Sequence, residues 1–184
     1  EICLNLLTDS SIASLCTPIV FGDANVLKLC AQKTAKSAVF KEISSNDLAS
    51  ATEPCVLDLG LIDQRLLEPG VVNEATGHAT YEYVTQAIDA CLSQCVPAVT
   101  TCPANKEALQ SAGIPQPGHT EIFADRTQSK KFCMAFLSDE INCSLVTVHA
   151  GYEEVPHLLN EERIVDVIEL TRETHQKLLG NEPR

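Results

Sequence analysis

The chain has no tryptophan, and aromatic residues make up only 4% of its 184 positions. A core must therefore be aliphatic, and a 45% hydrophobic share is enough to build one in a chain of this length. Cationic residues are also scarce: 13 Lys and Arg stand against 25 Asp and Glu, a formal charge of −12. That balance argues against nucleic acid and against an anionic membrane surface, both of which are held by basic side chains. Its simplest use is solubility. No run approaches the ~18 apolar residues of a membrane helix, and no signal peptide is visible.

Several catalytic signatures are missing too. There is no Gly-x-Gly-x-x-Gly fingerprint, no Walker-type phosphate loop, no Gly-x-Ser-x-Gly elbow and no Cys-x-x-Cys pair. Spacing alone thus gives no nucleotide site and no hydrolase nucleophile.

Cysteine is not scarce. Nine thiols stand at positions 3, 16, 30, 55, 91, 95, 102, 133 and 143. Their odd number and unpaired spacing predict free, largely buried thiols in a reducing cytosol, and hence a cytoplasmic protein. Cys91 and Cys95 continue the apolar stripe Val84, Ala87, Ile88 and Leu92, which predicts a core face. The chain opens inside a helical pattern, EICLNLL, without Met, and stops at NEPR just after a long helix. Both ends read as those of a piece of a longer chain.

Hydrophobic periodicity and turn residues predict an α/β fold with a mixed sheet. Strands are expected at 17–22, 37–43, 54–59 and 96–103, and a hairpin at 130–137 and 141–149 around Ser138-Asp139-Glu140. Asp23 is placed as the N-cap of the helix after the first strand. A long helix is expected over 78–94, started by His78, and another from an Asn105 cap to Ala112, closed by Gly113. Helices at 153–159 and 161–179 finish the chain.

Three places with candidate chemistry lie at predicted strand ends, where open α/β sheets bind ligands. In TTCPANK, 100–106, Lys106 sits beside a helix start and suits a phosphate or carboxylate, or is simply a solvated lysine. In GHTE, 118–121, His119 and Thr120 can contact a substrate oxygen at a helix N-terminus, or belong to a capping arrangement; Glu121 suits the helix dipole. His149 ends the last strand, a suitable place for a metal ligand, although one histidine is a third or a quarter of a site. His78, His157 and His175 fall on helical patterns and are read as structural.

The order of the motifs carries more than any one of them. Thr100 to Lys106 (T-x-x-P-x-N-K), Ala112 to Pro115 (A-G-I-P), Gly118 to Glu121 (G-H-T-E) and Thr147 with His149 (T-x-H) resemble the 4-hydroxythreonine-4-phosphate dehydrogenase family of pyridoxal phosphate (vitamin B6) biosynthesis. TPIVFGDANVL and EPGVVNEATGHATYEYVTQAIDAC resemble its second strand with helix and its long central helix. The resemblance covers roughly the middle half of that family's chain.

It implies an isocitrate/isopropylmalate-dehydrogenase-like fold, incomplete here, with residues 1–60 in a first lobe and 61–184 in a central lobe. It further implies a homodimer with its site at the subunit interface. The implied activity is oxidation of 4-phosphooxy-L-threonine by NAD (or NADP) with a divalent metal, zinc, magnesium or cobalt. The β-keto acid so formed decarboxylates to 3-amino-2-oxopropyl phosphate. By the same resemblance His119, Thr120 and Lys106 contact substrate, and His149 is one of three histidine ligands of a metal that polarises the alcohol oxygen. The family's Gly-rich first strand and its later half are absent, so this piece alone is not expected to catalyse. After His149 the family's hydrophobic-Pro-Leu run is replaced by Ala150-Gly151-Tyr152. Dehydrogenases of 4-phospho-D-threonate or 4-phospho-D-erythronate, and a non-catalytic phosphometabolite-binding domain, are the alternatives. Catalytic and NAD-binding residues are unassigned.

Overall fold

The structure, a computed structural model, describes residues 1–180; the NEPR terminus lies outside the described residues. The chain divides into two compact units, Glu1–Thr127 and Gln128–Arg184.

In the first unit, β1 (Ile19–Gly22), β2 (Lys41–Ile43) and β3 (Cys55–Asp58) form a parallel sheet of order β1-β3-β2. Ile19 and Lys41 both lie opposite Cys55. β3 is buried from Cys55 to Leu57 because it is central and covered on both faces, which is why it reads as an unbroken apolar run. Its side chains alternate between two cores. Val56 joins Leu4 and Leu7 of α1 (Ile2–Thr8), Val20 of β1, and Leu27 of α3 (Ala24–Lys33). Cys55 and Leu57 join Ile43, Leu48, Ala90 and Val96 on the other face. A short α2 (Ser10–Ala13) follows α1, capped by the Asp9 carboxylate.

Asp23 is the N-cap residue of α3, as its position predicts, but its side chain makes no capping hydrogen bond. Buried at the end of β1, its carboxylate instead accepts from Leu61 N at 3.0 Å and Ile62 N at 2.5 Å in the loop after β3. The α3 cap comes from Asp58 at the end of β3, which accepts from Ala24 N at 2.9 Å. Each strand-end carboxylate thus satisfies the segment that leaves the neighbouring strand, so the two turns hold each other through part-buried hydrogen bonds.

α4 (Glu74–Leu92) begins four residues before His78, which lies inside it rather than starting it. Asn73 caps it by accepting from Thr76 N at 2.9 Å. Gly77 masks this start in the sequence, and its reason is packing: a methyl there would land on the Ala108 carbonyl oxygen. α5 (Lys106–Ser111) crosses α4 at that point, capped by Asn105, which accepts from Ala108 N at 2.9 Å, with Gly113 after it at φ 72°. α6 (His119–Arg126) packs on the same helix: Val84 and Ile88 of α4 meet Leu109 and Ile122. Arg126 Nε donates to Asp89 Oδ1 at 2.7 Å, and its Nη2 pairs with the second oxygen, fastening α6 to α4.

The strand expected at 96–103 does not form. Val96 is buried, but residues 97–105 are irregular and among the described residues nothing pairs with them. A strand exists by pairing, and Pro97 and Pro103 each lack a ladder donor. The thiols are free but not largely buried: Cys55 is fully enclosed, while Cys16, Cys95, Cys102 and Cys143 are exposed. α4 ends at Leu92, itself exposed, so Cys95 lies beyond the helix and the core stripe stops at Ile88 and Cys91.

In the second unit, β4 (Met134–Phe136) and β5 (Cys143–Leu145) pair antiparallel, with Met134 opposite Leu145, as the hairpin pattern predicts. Ser138 organises the turn through its backbone N to Asn142 Oδ1 at 2.9 Å and its hydroxyl to Ile141 O at 2.8 Å. α7 (Val155–Leu158) precedes α8 (Glu161–Leu179), which is capped by Asn160 and ended by Gly180 in a left-handed conformation. Thr171 Oγ1 donates to Ser144 Oγ at 2.7 Å, and Arg163 reaches the Val146 and Phe132 carbonyls, so α8 is pinned to the hairpin. Parallel and antiparallel pairings therefore lie in two sheets rather than one. No helix among the described residues is long and apolar enough to cross a membrane.

Candidate functional site

Two of the three predicted motifs converge in the first unit. Close packing of α5 on α4 at Gly77 fixes where α5 starts, and Lys106 is its first residue. The shared cluster of Leu109 and Ile122 fixes α6 beside it. A Cβ placed on Gly118 would lie 3.8 Å from Lys106 Cε and 3.5 Å from Glu121 Oε2. TTCPANK and GHTE are therefore neighbours in space, with Gly118 between the Lys106 and Glu121 side chains.

Gly118 occupies the N-cap position of α6 and has no side chain with which to cap it. The first-turn N–H groups of α6 lack partners one turn back and keep their capacity for an outside oxygen. His119 Nε2 is buried and has no hydrogen-bond partner among the described residues. Such an atom is costly unless something completes it. Thr120 is half-buried and Lys106 exposed, and neither side chain forms a hydrogen bond or ion pair among the described residues. A cation, an imidazole, a hydroxyl and a bare helix end thus stand together uncommitted, which suits a phosphate- or carboxylate-bearing ligand. Glu121 sits in the first turn of α6, where its charge is favourable to the helix dipole. TTCPANK, however, is not at a strand end, since no strand forms there.

Sequence reasoning missed Gln116. Its Nε2 donates to Asp125 Oδ2 at 3.0 Å, while its Oε1 is buried without a partner among the described residues. A polar residue between two prolines was the available signal. It missed Tyr83 as well, whose buried hydroxyl has no hydrogen-bond partner among the described residues. Burial, with the Asp23 and Asp58 carboxylates nearby, pushes that phenol far above its ordinary range. Nothing in the spacing of TYEYV sets this tyrosine apart from Tyr81.

His149 belongs to the second unit. It lies four residues past the end of β5, exposed, on a bend with φ 56°. Left-handed backbone at a non-glycine residue costs energy and is often found at functional positions. Among the described residues no three His, Cys, Asp or Glu side chains gather as a metal would need. An exposed imidazole is the right type of donor, but the described residues do not make a complete metal site.

The sequence family described as "Pyridoxal phosphate biosynthetic protein PdxA" matches residues 14–184. A 4-hydroxythreonine-4-phosphate dehydrogenase of Trichlorobacter lovleyi is 31% identical over 98% of this chain and 55% of its own length. A D-threonate 4-phosphate dehydrogenase of Pectobacterium atrosepticum is 29% identical over 86% of this chain and 52% of its own length. Among solved structures, a 4-hydroxythreonine-4-phosphate dehydrogenase from Klebsiella pneumoniae superposes with a TM-score of 0.85 at 26% identity, covering 97% of this chain and 54% of that one. The chain spans about half the length of the curated relatives it matches.

Proposed function

Because the chain belongs to the PdxA family of pyridoxal phosphate biosynthetic proteins, we propose that the complete protein is an NAD-dependent (or NADP-dependent) dehydrogenase. Its substrate is 4-phosphooxy-L-threonine. The nicotinamide would supply the hydride acceptor for oxidation of the secondary alcohol, whose hydroxyl proton a base would take, giving a β-keto acid. Loss of CO2 from that acid yields 3-amino-2-oxopropyl phosphate. The observation that carries this reading is the convergence of Lys106 with the uncapped start of α6, beside a buried, unpartnered His119 Nε2.

In this reading His119 and Thr120 hydrogen-bond the substrate's oxygens and fix its orientation, and Lys106 balances its negative charge. Residues 1–60 contribute to a first lobe and 61–184 form the central lobe of an isocitrate/isopropylmalate-dehydrogenase-like fold. His149 is proposed as one ligand of a divalent metal (zinc, magnesium or cobalt), with the other ligands supplied from outside this chain. The complete protein is proposed to be a cytoplasmic homodimer with its site at the subunit interface. Exposed apolar side chains of the second unit, among them Phe136, Ile141 and Ile168, support that assembly. Neither nucleic acid nor membrane is assigned as a partner.

A second reading keeps the chemistry and changes the acid. The Pectobacterium relative supports 4-phospho-D-threonate, and 4-phospho-D-erythronate follows the same logic. The test is NADH formation by the complete protein with added divalent metal, offering each phosphorylated acid separately. Turnover of the amino acid supports the first reading, and turnover of a sugar acid alone supports the second. Turnover of none, with binding of all, would replace both by a non-catalytic phosphometabolite-binding domain.

A further inference from the structure

Cys3, on α1, and Cys102, in the irregular segment leading to α5, are 99 positions apart in sequence, yet their sulfurs stand 3.5 Å apart. No other two cysteine sulfurs among the described residues make such a contact. The two thiols differ in surroundings. Cys102 is exposed, between exposed Thr101 and Pro103, in a segment held by neither helix nor sheet. Cys3 is half-buried against the cluster of Leu4, Leu7 and Val56.

We propose that Cys3 and Cys102 are a reversible redox pair, in which Cys102 meets a hydroperoxide and Cys3 resolves the product to a disulfide. The Cys102 thiolate attacks the terminal peroxide oxygen, breaking the O–O bond. It becomes a sulfenic acid, and the hydroperoxide leaves as an alcohol, or as water in the case of hydrogen peroxide. The Cys3 thiolate then attacks Cys102 Sγ, forming the S–S bond and expelling hydroxide, which takes up a proton to leave as water. Two thiols are oxidised by two electrons, and one peroxide is reduced.

A disulfide needs its sulfurs at about 2.05 Å, so they must close by about 1.5 Å. The unpaired segment around Cys102 is the part free to give that distance. Exposure decides the order of events, because an oxidant reaches Cys102 first. Burial, reinforced by the neighbouring Cys102 thiol, raises the Cys3 thiol to about 11, so Cys3 is not the thiol that meets the oxidant. It resolves Cys102 by proximity through its small thiolate fraction, faster as pH rises. The bond would tie α1 to the segment that ends in Lys106, four residues beyond Cys102. The thiol chemistry itself does not depend on the dehydrogenase reading, because its readout is covalent.

The reduced complete protein is treated with a small excess of hydrogen peroxide, its remaining thiols are alkylated, and it is mapped by non-reducing peptide mass spectrometry. A cross-linked peptide joining Cys3 and Cys102, lighter than its two parts by two hydrogens, is expected roughly tenfold faster than any other cysteine pair. It disappears on adding a dithiol reductant. Cys3→Ser leaves Cys102 as a sulfenic acid trapped by dimedone. Cys102→Ser, a change at an exposed position, leaves Cys3 reduced. Formation of the Cys3–Cys102 link no faster than a link between exposed Cys16 and Cys95 would overturn the proposal. So would passage of wild-type Cys102 to sulfinic acid without any cross-link.

Discussion

The two units solve the burial problem to different degrees. In the first, a three-stranded parallel sheet is covered on both faces, and α4 carries a third apolar cluster shared with α5 and α6. In the second, α8 is the best-formed helix locally, with a capping Asn160 and a terminating Gly180, yet only Val167 of its 19 residues is buried. Ile164, Val165, Ile168, Leu178 and Leu179 remain exposed on it. Local signals are enough to make a helix, while a core needs partners distant in sequence. The candidate ligand groups follow the same division: Lys106, His119 and Thr120 rest on a packed scaffold, and His149 rests on a bend.

The largest break in this contrast should come from Gly77→Ala. The added methyl has no room against the Ala108 carbonyl, so α5 must move and the first unit should lose about 3 kcal/mol. Urea unfolding of the complete protein measures it, and a loss under about 1 kcal/mol would mean that the helices slide apart freely. Asp23→Ala comes next. It strands the Leu61 and Ile62 N–H groups and should cost about 2 kcal/mol by the same measurement.

In the second unit the pair Val167→Ala and Ile168→Ala sharpens the comparison. At high dilution the first should cost about 1.5 kcal/mol and the second under about 0.5 kcal/mol. If a second copy covers α8, raising the protein concentration should increase the cost at Ile168 and leave the cost at Val167 alone.

The smallest effect is electrostatic. The Arg126 guanidinium, donating to Asp89, holds that carboxyl below the usual carboxylate range. A lowered folded value means that the contribution is present above the unfolded pKa of about 3.9 and is lost as pH falls through the folded one. The pair is surface-exposed, so the loss is small. Asp89→Asn should flatten the acid limb of a thermal unfolding profile slightly and leave its neutral region nearly unchanged.

Much of the architecture was legible from spacing. β1, β2 and β3, the hairpin and α8 over 161–179 follow from apolar runs, turn residues and caps. What failed needed information from elsewhere in the chain. Residues 96–103 have strand composition but, among the described residues, no partner to pair with. Asp23 has a cap's position, but its carboxylate is drawn to two N–H groups that lie 38 and 39 residues away. Exposure of the cysteines could not be read from their apolar neighbours, because Cys95 falls just past the end of α4. At the candidate site the motifs named the residues, while only the packing of α5 and α6 on α4 put Lys106 next to Gly118.

That adjacency is the central claim, and a double-mutant cycle on the complete protein tests it most directly. kcat/KM for the phosphorylated acid that is turned over is measured for wild type, Lys106→Met, His119→Ala and the double variant. If both side chains hold one ligand, each single change should lower kcat/KM by roughly 10- to 100-fold. The double change should then differ from their product by at least about 1 kcal/mol of coupling. Two losses that simply multiply, or a Lys106 variant as active as wild type, would contradict the account.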